Sequence, residues 1–305
     1  MQDTPARPLR RRRSVLYMPA GNARALAKAD TLDADTVIFD LEDSVDPAAK
    51  DDAREALRTF FRETRPKRPE CVIRINALAG PWGTEDLLAA RACMPDAILL
   101  PKAERPEDIQ RAAALMEAHG APERLRIWAM IETPRGVLGA GAIAAAHPRL
   151  EGFVLGTNDL AKELGAAHTP GREPLLASLG MTLLAARAEG LVCVDGVHNT
   201  LQDDAGLRAV CVQGRDMGFD GKTLIHPAQI AITNEVFAPA PAELDLARAQ
   251  VAAFGAAEAR GEGVAVVDGR IVENLHVATA RRLLARAAAI AALASAGAAP
   301  EERKP

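Results

Sequence analysis

Two stretches carry the strongest indication of the fold: Arg126-Ile-Trp-Ala-Met-Ile-Glu-Thr-Pro134 and, after a short helical segment, Gly152-Phe-Val-Leu-Gly-Thr-Asn-Asp-Leu-Ala161. Each is an apolar run of the length of a buried strand, and each is closed by a carboxylate, Glu132 or Asp159, where the chain turns into a helix. If the two strands are neighbours in a parallel sheet, both carboxylates lie at the same edge. Because like charges that close repel each other, a cation between them is favourable. The two stretches therefore predict adjacent strands around a metal site.

Apolar runs of similar length occur on both sides of this pair. They predict six more strands, at Ser14–Pro19, Thr36–Asp40, Cys71–Asn76, Ala97–Lys102, Leu191–Asp195 and Thr223–His226. Eight strands alternating with helices over residues 14–236 predict a parallel sheet closed into a (β/α)₈ TIM barrel. A doubly wound open sheet is the competing fold, but no Gly-x-Gly-x-x-Gly motif follows a strand to support it.

The sequence changes character near residue 237. Pro239 and Pro241 bracket a linker, which is followed by an amphipathic helix, a hairpin over Val264–Val272 and an alanine-rich helix. Such an appendage is too small to fold alone, so it is expected to pack on the barrel or on a neighbouring subunit. We predict a flexible basic tail at 1–13, a catalytic barrel at 14–236 and an appendage at 237–305.

Composition limits the classes of partner. The 305 residues are 49% hydrophobic, enough for a large core, and the net charge of −4 argues against a nucleic-acid partner. The four cysteines are scattered and suggest neither a zinc site nor a disulfide framework. Residues 10–13 are four arginines, read as a solvated tail or as a contact to an anionic ligand. No run suits a secretory signal or a membrane span, so a cytoplasmic protein without a membrane partner is expected.

The chemistry of the predicted metal site follows from its donors. Two carboxylates without Cys or His favour a hard cation such as Mg²⁺ over zinc, and they leave coordination positions open for water or a chelating substrate. The alternative is that Glu132 or Asp159 forms an ion pair with Arg74 or Lys102 and only stabilises the barrel rim. Before Asp159, the backbone N–H groups of residues 156–158 (Gly-Thr-Asn) are suited to an anion, although a plain tight turn explains them equally well.

Other charged residues near strand ends admit two interpretations each. Arg74 lies inside an apolar strand and needs an anionic partner, either Glu42 or Asp43 or a substrate carboxylate. Lys102 could form a Schiff base with a carbonyl substrate, but the neighbouring acids favour its protonated form. Asp195 and His226 suit an acid–base pair or turn-capping roles.

Seven segments together resemble the citrate lyase beta subunit family, which includes malyl-CoA and citramalyl-CoA lyases and related thioesterases. They are Ser14-Val-Leu-Tyr-Met-Pro19, Val37-Ile-Phe-Asp-Leu-Glu-Asp-Ser-Val45, Val72-Ile-Arg-Ile-Asn76, Ile98-Leu-Leu-Pro-Lys102, Met130-Ile-Glu-Thr-Pro134, Leu155-Gly-Thr-Asn-Asp-Leu-Ala161 and Gly221-Lys-Thr-Leu-Ile-His-Pro227. They occur in order and at the family's spacing, from residue 14 towards the C-terminal hairpin.

The resemblance implies a (β/α)₈ barrel that assembles as a trimer or a multiple of it. It implies Mg²⁺ held by Glu132 and Asp159, with Arg74 at the reacting carbonyl or carboxylate. The remaining implied roles are a 2-oxo acid site at Gly156, Thr157 and Asn158, a CoA contact at Met18 and Pro19, and supporting charges at Glu42, Asp43 and Lys102.

Two positions depart from the family's pattern. Glu273 stands where a neighbouring subunit of the family's lyases often supplies an Asp near the substrate, and Ala20 stands where a glycine is common.

The sequence therefore predicts a Mg²⁺-dependent carbon–carbon lyase. Its substrate would be a 3-hydroxy-3-carboxyacyl-CoA of the malyl, citramalyl or citryl type, which yields an acyl-CoA and a small 2-oxo acid. Arg74 would offset charge on the thioester enolate, and Glu273 would be the base for the 3-hydroxyl group. The alternatives are a thioesterase acting on the same substrates, a citrate lyase component that works on a carrier protein, and a non-catalytic CoA-binding protein.

Overall fold

The computed structural model describes residues 10–296. It divides the chain into two compact units. Residues 12–237 form the first, and the described residues of the second are 10–11 and 238–296.

The first unit is a closed barrel of eight parallel strands in sequential order, with β1 pairing with β8. The strands are β1 (Ser14–Pro19), β2 (Thr36–Asp40), β3 (Glu70–Arg74), β4 (Ala97–Leu100), β5 (Arg126–Ile131), β6 (Leu150–Leu155), β7 (Val192–Asp195) and β8 (Gly221–Leu224). This confirms the predicted (β/α)₈ TIM barrel. The last strand begins two residues before the predicted start, so that Lys222 lies within it.

Helices connect the strands and surround them. They are α1 (Ala23–Leu26), α2 (Lys50–Thr64), α3 (Gly83–Cys93), α4 (Pro106–Ala118), α5 (Pro134–Ala144), α6 (Thr157–Leu164), α7 (Leu176–Ala188), α8 (Asp204–Met217) and α9 (Ile230–Phe237). Side chains at their starts satisfy free backbone N–H groups: Thr133 accepts from Gly136 ahead of α5, and Asp203 accepts from Gly206 ahead of α8. The alanine-rich segment after β1 forms only the single turn α1.

Alternation along the strands gives the barrel two separate cores. One face of each strand packs against the helices, and the other fills the barrel interior. The interior cluster consists of Val15, Ile38, Val72, Ala97, Leu99, Trp128, Met130, Val154 and Val194. Near the amino ends of the strands, the guanidinium of Arg12 binds Glu70 at 2.7 Å and lies 5.2 Å from the centre of the Trp128 ring. The interior is therefore packed, and space for a ligand remains only towards the carboxyl ends.

The second unit contains two helices and a hairpin. Their bounds are α10 (Pro241–Glu258), β9 (Ala265–Val267), β10 (Arg270–Val272) and α11 (Asn274–Ala296). Phe254, Ala257, Val272 and Val277 form its small apolar core. These elements agree with the predicted helical and hairpin appendage. Among residues 10–296, every helix is too short or too polar to cross a bilayer.

Gly221 provides a test of barrel closure. A Cβ atom at this position would lie 1.8 Å from the carbonyl oxygen of Arg12, in the segment that leads into β1. We expect Gly221→Ala to lower the free energy of unfolding by about 3 kcal/mol or more, because backbone must move to make room. Urea unfolding measures the loss. Gly180→Ala is the matched control: it lies in α7 with no atom within 4 Å of the added methyl group, and it should be neutral or slightly stabilising.

Candidate active site

Strand alternation places a polar group directly above the apolar interior. Each of four residues follows an interior residue of the same strand by two positions, so it continues the inward-facing row towards the carboxyl end. These residues are Asp40, Arg74, Glu132 and Gly156, which follow Ile38, Val72, Met130 and Val154. The carboxyl end of the barrel is where TIM-barrel sites are built.

A cavity of about 350 Å³ opens at this edge. Its wall includes most of the residues predicted from sequence for a metal and a small acid, namely Arg74, Asp43, Glu132, Gly156, Thr157, Asn158 and Asp159, together with Pro19. Glu132 and Asp159 thus line one cavity, as the two stretches indicated.

Glu132 is a buried carboxylate of this cavity, with 2% of the residue exposed. Its Oε1 atom accepts a hydrogen bond from the backbone N–H of Lys102 at 2.8 Å. Lys102 adopts φ +49°, a left-handed conformation that costs a non-glycine residue about 1 kcal/mol. Burial raises the pKa of Glu132 to about 8, and Glu42 and Asp159 add to the rise. The carboxylate therefore lies in an environment with too little positive charge.

Gly156 provides the space for the Glu132 carboxylate. A Cβ atom on Gly156 would lie 2.4 Å from both the Cβ and the Oε2 atoms of Glu132, so a larger residue would displace the acid. Asp159 follows in the first turn of α6 and is half-buried.

The two carboxylates fit a hard cation, because they are close to one cavity and offer oxygen donors only. Within residues 10–296 no cluster of three or more Asp, Glu, His or Cys residues suits a metal. The protein would supply two ligands here and leave the other positions to water or substrate.

Arg74 lies beside a group of three acids. Its Nε and Nη2 atoms each donate to Asp40 at 2.7 Å, and its Nη1 atom lies 2.7 Å from Glu42 and 3.2 Å from Asp43. Sequence reasoning named Glu42 or Asp43 as the protein partner, and both lie within ion-pair distance of Arg74, but it did not identify Asp40, which is the bidentate partner. The reason is strand register, which places Asp40 directly opposite Arg74 on the neighbouring strand.

The electrostatics of this group are set by burial and by Arg74. Burial alone would raise the pKa of Asp40, but hydrogen bonds from Arg74 and the backbone lower it below its usual value. Burial raises the pKa of Glu42 to about 7, with Arg74 opposing the rise. Three acids share one guanidinium, so the cavity remains acidic even with Arg74 present.

The surroundings of Lys102 disfavour a Schiff base with a carbonyl substrate. Its side chain is exposed, and although burial acts in the opposite direction, Asp159 and Glu132 raise its pKa above the usual value. A lysine held in its charged form is a poor nucleophile.

The other predicted residues lie at different places. Met18 is buried in the core between barrel and helices, whereas Pro19 is exposed at the cavity wall. Glu273 is an exposed residue of the second unit, directly before α11, and its catalytic role stays a prediction. His226 caps a short turn by accepting from the N–H of Ala228 at 3.2 Å. Asp195 is fully buried and binds Arg172 and Lys222, whereas His226 is exposed, and among the described residues no hydrogen bond or ion pair joins Asp195 to His226.

Sequence reasoning missed several members of the cavity wall, and two of them, Tyr17 and Asp40, contact Arg74. The ring of Tyr17 lies 4.9 Å from the guanidinium carbon of Arg74 and supports its flat face. Asp40 was placed at the end of the second predicted strand but given no role. Both follow the same alternation as Arg74 and Glu132, so counting inward positions along β1 and β2 would have found them.

The fold and this cavity define a TIM-barrel protein that holds an acidic, ligand-sized site at the carboxyl ends of its strands. Residues 13–227 match the HpcH/HpaI aldolase/citrate lyase family, and the chain belongs to that family.

Curated relatives extend over nearly the whole chain. A (3S)-malyl-CoA thioesterase of Cereibacter sphaeroides is 55% identical over 92% of this chain and 96% of its own length. The citrate lyase subunit beta of Escherichia coli is 34% identical over 92% of this chain and 95% of its own. Among solved structures, CitE of Mycobacterium tuberculosis in complex with magnesium, acetoacetate and coenzyme A has a TM-score of 0.74 and 33% identity, over 90% of this chain and 97% of that one.

Gly156→Ala tests the packing that positions Glu132. We expect catalytic activity to fall at least about 10-fold and the free energy of unfolding to fall by about 1–3 kcal/mol, because the added methyl group would lie 2.4 Å from the Cβ atom of Glu132, which moves only with its backbone, and equally close to its carboxylate. Steady-state rates and urea unfolding on the same preparation measure both effects. Gly141→Ala in α5, which has no atom within 4 Å of the added methyl group, is the control and should retain full activity. Wild-type rates for Gly156→Ala would contradict the importance of this contact.

Proposed function

We propose that the protein is a Mg²⁺-dependent thioesterase that hydrolyses (3S)-malyl-CoA or a closely similar 3-hydroxy-3-carboxyacyl-CoA. One structural observation carries the proposal: Glu132, Asp159 and Arg74 line a single cavity of about 350 Å³. The choice of hydrolysis over carbon–carbon cleavage is supported by the 55% identity to a (3S)-malyl-CoA thioesterase along almost the entire chain.

In this proposal the chain's residues bind and orient a substrate that carries a carboxylate beside its thioester. Glu132 and Asp159 would hold Mg²⁺, which when bound supplies Lewis-acid polarisation of a substrate oxygen. Asp40 and Tyr17 fix the guanidinium group of Arg74. The N–H of this group that has no acceptor in the described part of the protein would face the thioester oxygen, where negative charge develops. Water adds to the thioester carbonyl, the carbon–sulfur bond breaks, and the products are malate, free CoA thiol and one proton.

The attacking water must lose a proton. Our candidate for the base is Asp43, since its carboxylate lines the cavity and is 69% exposed. Asp40, which accepts four hydrogen bonds from Arg74 and from the backbone of residues 42 and 44, is too fully engaged for that role.

Carbon–carbon lysis is the second candidate, and the similarity to citrate lyase beta subunits favours it. The same cavity would then bind the 2-oxo acid end of the substrate, and Glu273 supplied by a neighbouring subunit would be the base for the 3-hydroxyl group. A component acting on a carrier protein, or a non-catalytic CoA-binding protein, would show no activity on free CoA substrates.

Product analysis separates these functions. The purified chain is incubated with (3S)-malyl-CoA and Mg²⁺, and free thiol, malate, glyoxylate and acetyl-CoA are quantified. Malate and thiol in equal amounts support the thioesterase, whereas glyoxylate and acetyl-CoA identify a lyase. EDTA should abolish activity and Mg²⁺ should restore it. Borohydride trapping of substrate on Lys102 would instead support a Schiff base.

A further inference from the structure

A second cavity of about 300 Å³ lies in the barrel unit beside the candidate active site. The two cavities share Thr157, Asn158 and Val197 in their walls. Between them, the side-chain amides of Asn158 and Asn199 donate to each other's oxygen at 3.2 Å and 2.8 Å, which links the start of α6 to the loop that follows β7. The second cavity is thus a separate space with a common wall.

Arg172 is the cation in the wall of this second cavity, with 10% of its side chain exposed. Its Nε atom donates to Gln213 at 2.7 Å, and its Nη1 atom lies 2.7 Å and 2.8 Å from the two oxygens of Asp195. The Nη2 atom is buried and has no hydrogen-bond acceptor among residues 10–296. The backbone of Arg172 is held at φ +57°, so the side chain is fixed at a conformational cost. A buried guanidinium with a free donor normally has an acceptor.

Asp195 and the two cations that contact it leave a local positive surplus, whereas the other acid of the cavity wall, Asp203, lies beside His198. Lys222, which is fully buried, lies 3.1 Å from the same Asp195 carboxylate, so two cations share one anion. Burial alone would raise the pKa of Asp195, but Lys222 and Arg172 lower it, and the acid stays ionised. Burial lowers the pKa of Lys222, and Asp195 opposes that shift. An anion near Arg172 would balance the second cation.

His198 adds a second polar group to the same wall. Its Nε2 atom is buried and makes no hydrogen bond within the described part of the chain, although a carboxylate oxygen of Asp203 lies 3.4 Å away. Asp203 itself accepts from the N–H of Gly206 as the cap of α8. Arg172 and His198 therefore both offer unused hydrogen-bonding capacity at one cavity.

We propose that the second cavity binds a carboxylate group, held by Arg172 and His198. The carboxylate can come from two sources: the acid end of a substrate that extends past Asn158 from the active site, or a free small acid. The first source rests on the proposed function, and the second is independent of it.

The test variant is Ala209→Leu, which fills the cavity without touching the buried charges. Ala209 is an exposed residue of α8 in the cavity wall, so a leucine is accommodated without strain in the core. Replacing Arg172 is less informative, because it would leave Asp195 buried with one partner fewer. Ala205→Leu, an exposed position one turn earlier on α8 and outside the cavity wall, is the matched control.

Two measurements distinguish the sources. In the first, L-malate is titrated calorimetrically, without Mg²⁺, into protein carrying Glu132→Gln, so that the active site contributes little. In the second, KM and kcat for (3S)-malyl-CoA are measured in the otherwise unchanged protein with Mg²⁺.

For a free acid, malate binding weakens at least 10-fold in Ala209→Leu and KM is unchanged. For the acid end of the substrate, KM rises at least 10-fold while kcat is retained. Ala205→Leu should change neither quantity. The proposal is overturned if Ala209→Leu leaves both malate binding and KM within twofold of the control. If the wild-type protein does not hydrolyse the substrate, the proposed function fails while the malate titration still tests the cavity.

Discussion

Glu132→Gln is expected to lower the affinity for Mg²⁺ at least about 100-fold and the rate of thioester hydrolysis at least about 1,000-fold. Glutamine keeps the shape of the side chain and an oxygen that can accept from the N–H of Lys102, but it removes one of two anionic donors. A hard cation binds a neutral amide far less well than a carboxylate in such a site.

The thermal stability of the metal-free Glu132→Gln protein should, in contrast, stay the same or increase. Burial holds the pKa of Glu132 near 8, above its usual value of 4.5, so at pH 9 the ionised side chain destabilises the metal-free folded state. This destabilisation begins as the pH rises above the pKa of Glu132 in the unfolded chain, and it is complete only above the pKa of Glu132 in the folded protein, about 8. The metal-free Glu132→Gln protein should therefore melt at an equal or higher temperature, most clearly at pH 9.

Calorimetric titration with Mg²⁺, product release and thermal melting together check this prediction. Glu163→Gln, an exposed position on α6, is the control and should match the wild-type protein in all three. Unchanged Mg²⁺ affinity in Glu132→Gln would remove Glu132 from the metal site, and a large loss of stability would show that its role is structural.

The barrel could be predicted from sequence because most strands are apolar runs that end at a turn. The bounds of β2, Thr36–Asp40, were predicted without error for this reason. The strand β8 was placed two residues late because Gly221 and Lys222 do not resemble a buried strand. Lys222 can be fully buried there because Asp195 on β7 neutralises it. The two residues are 27 positions apart, so the local sequence pattern does not predict their pairing.

In the candidate site too, contacts between residues far apart in sequence could not be predicted. Sequence reasoning identified the acids and Arg74 because charges are rare at the ends of apolar runs. It named Glu42 or Asp43 as the protein partner of Arg74 and did not identify Asp40, since that pairing depends on how two strands are aligned. Arg172 was not noticed, because it lies in a loop and reaches Asp195 only through the folded structure.

Arg74→Met is the second substitution with a large expected effect, on both stability and catalysis. It leaves Asp40 and Glu42 buried without their cation, which should lower the free energy of unfolding by about 3–5 kcal/mol at neutral pH. Loss of the guanidinium beside the reacting oxygen should also lower kcat/KM for the thioester at least about 100-fold. Urea unfolding and steady-state kinetics measure the two losses.

The double variant Arg74→Met/Asp40→Leu separates those losses. It removes both members of the bidentate pair that faces across β2 and β3, so part of the lost stability should return, because the buried unpaired carboxylate is gone. Recovery should be incomplete, since Glu42 still lacks its cation and the N–H groups of residues 42 and 44 lose their acceptor. Activity should stay low, since no donor is restored. Arg74→Lys should give intermediate stability with low activity, because an ammonium group cannot form the two parallel hydrogen bonds to Asp40 that fix the direction of the remaining N–H. Recovery of activity in the double variant, or wild-type rates in Arg74→Lys, would show that Arg74 only neutralises the acids of the rim.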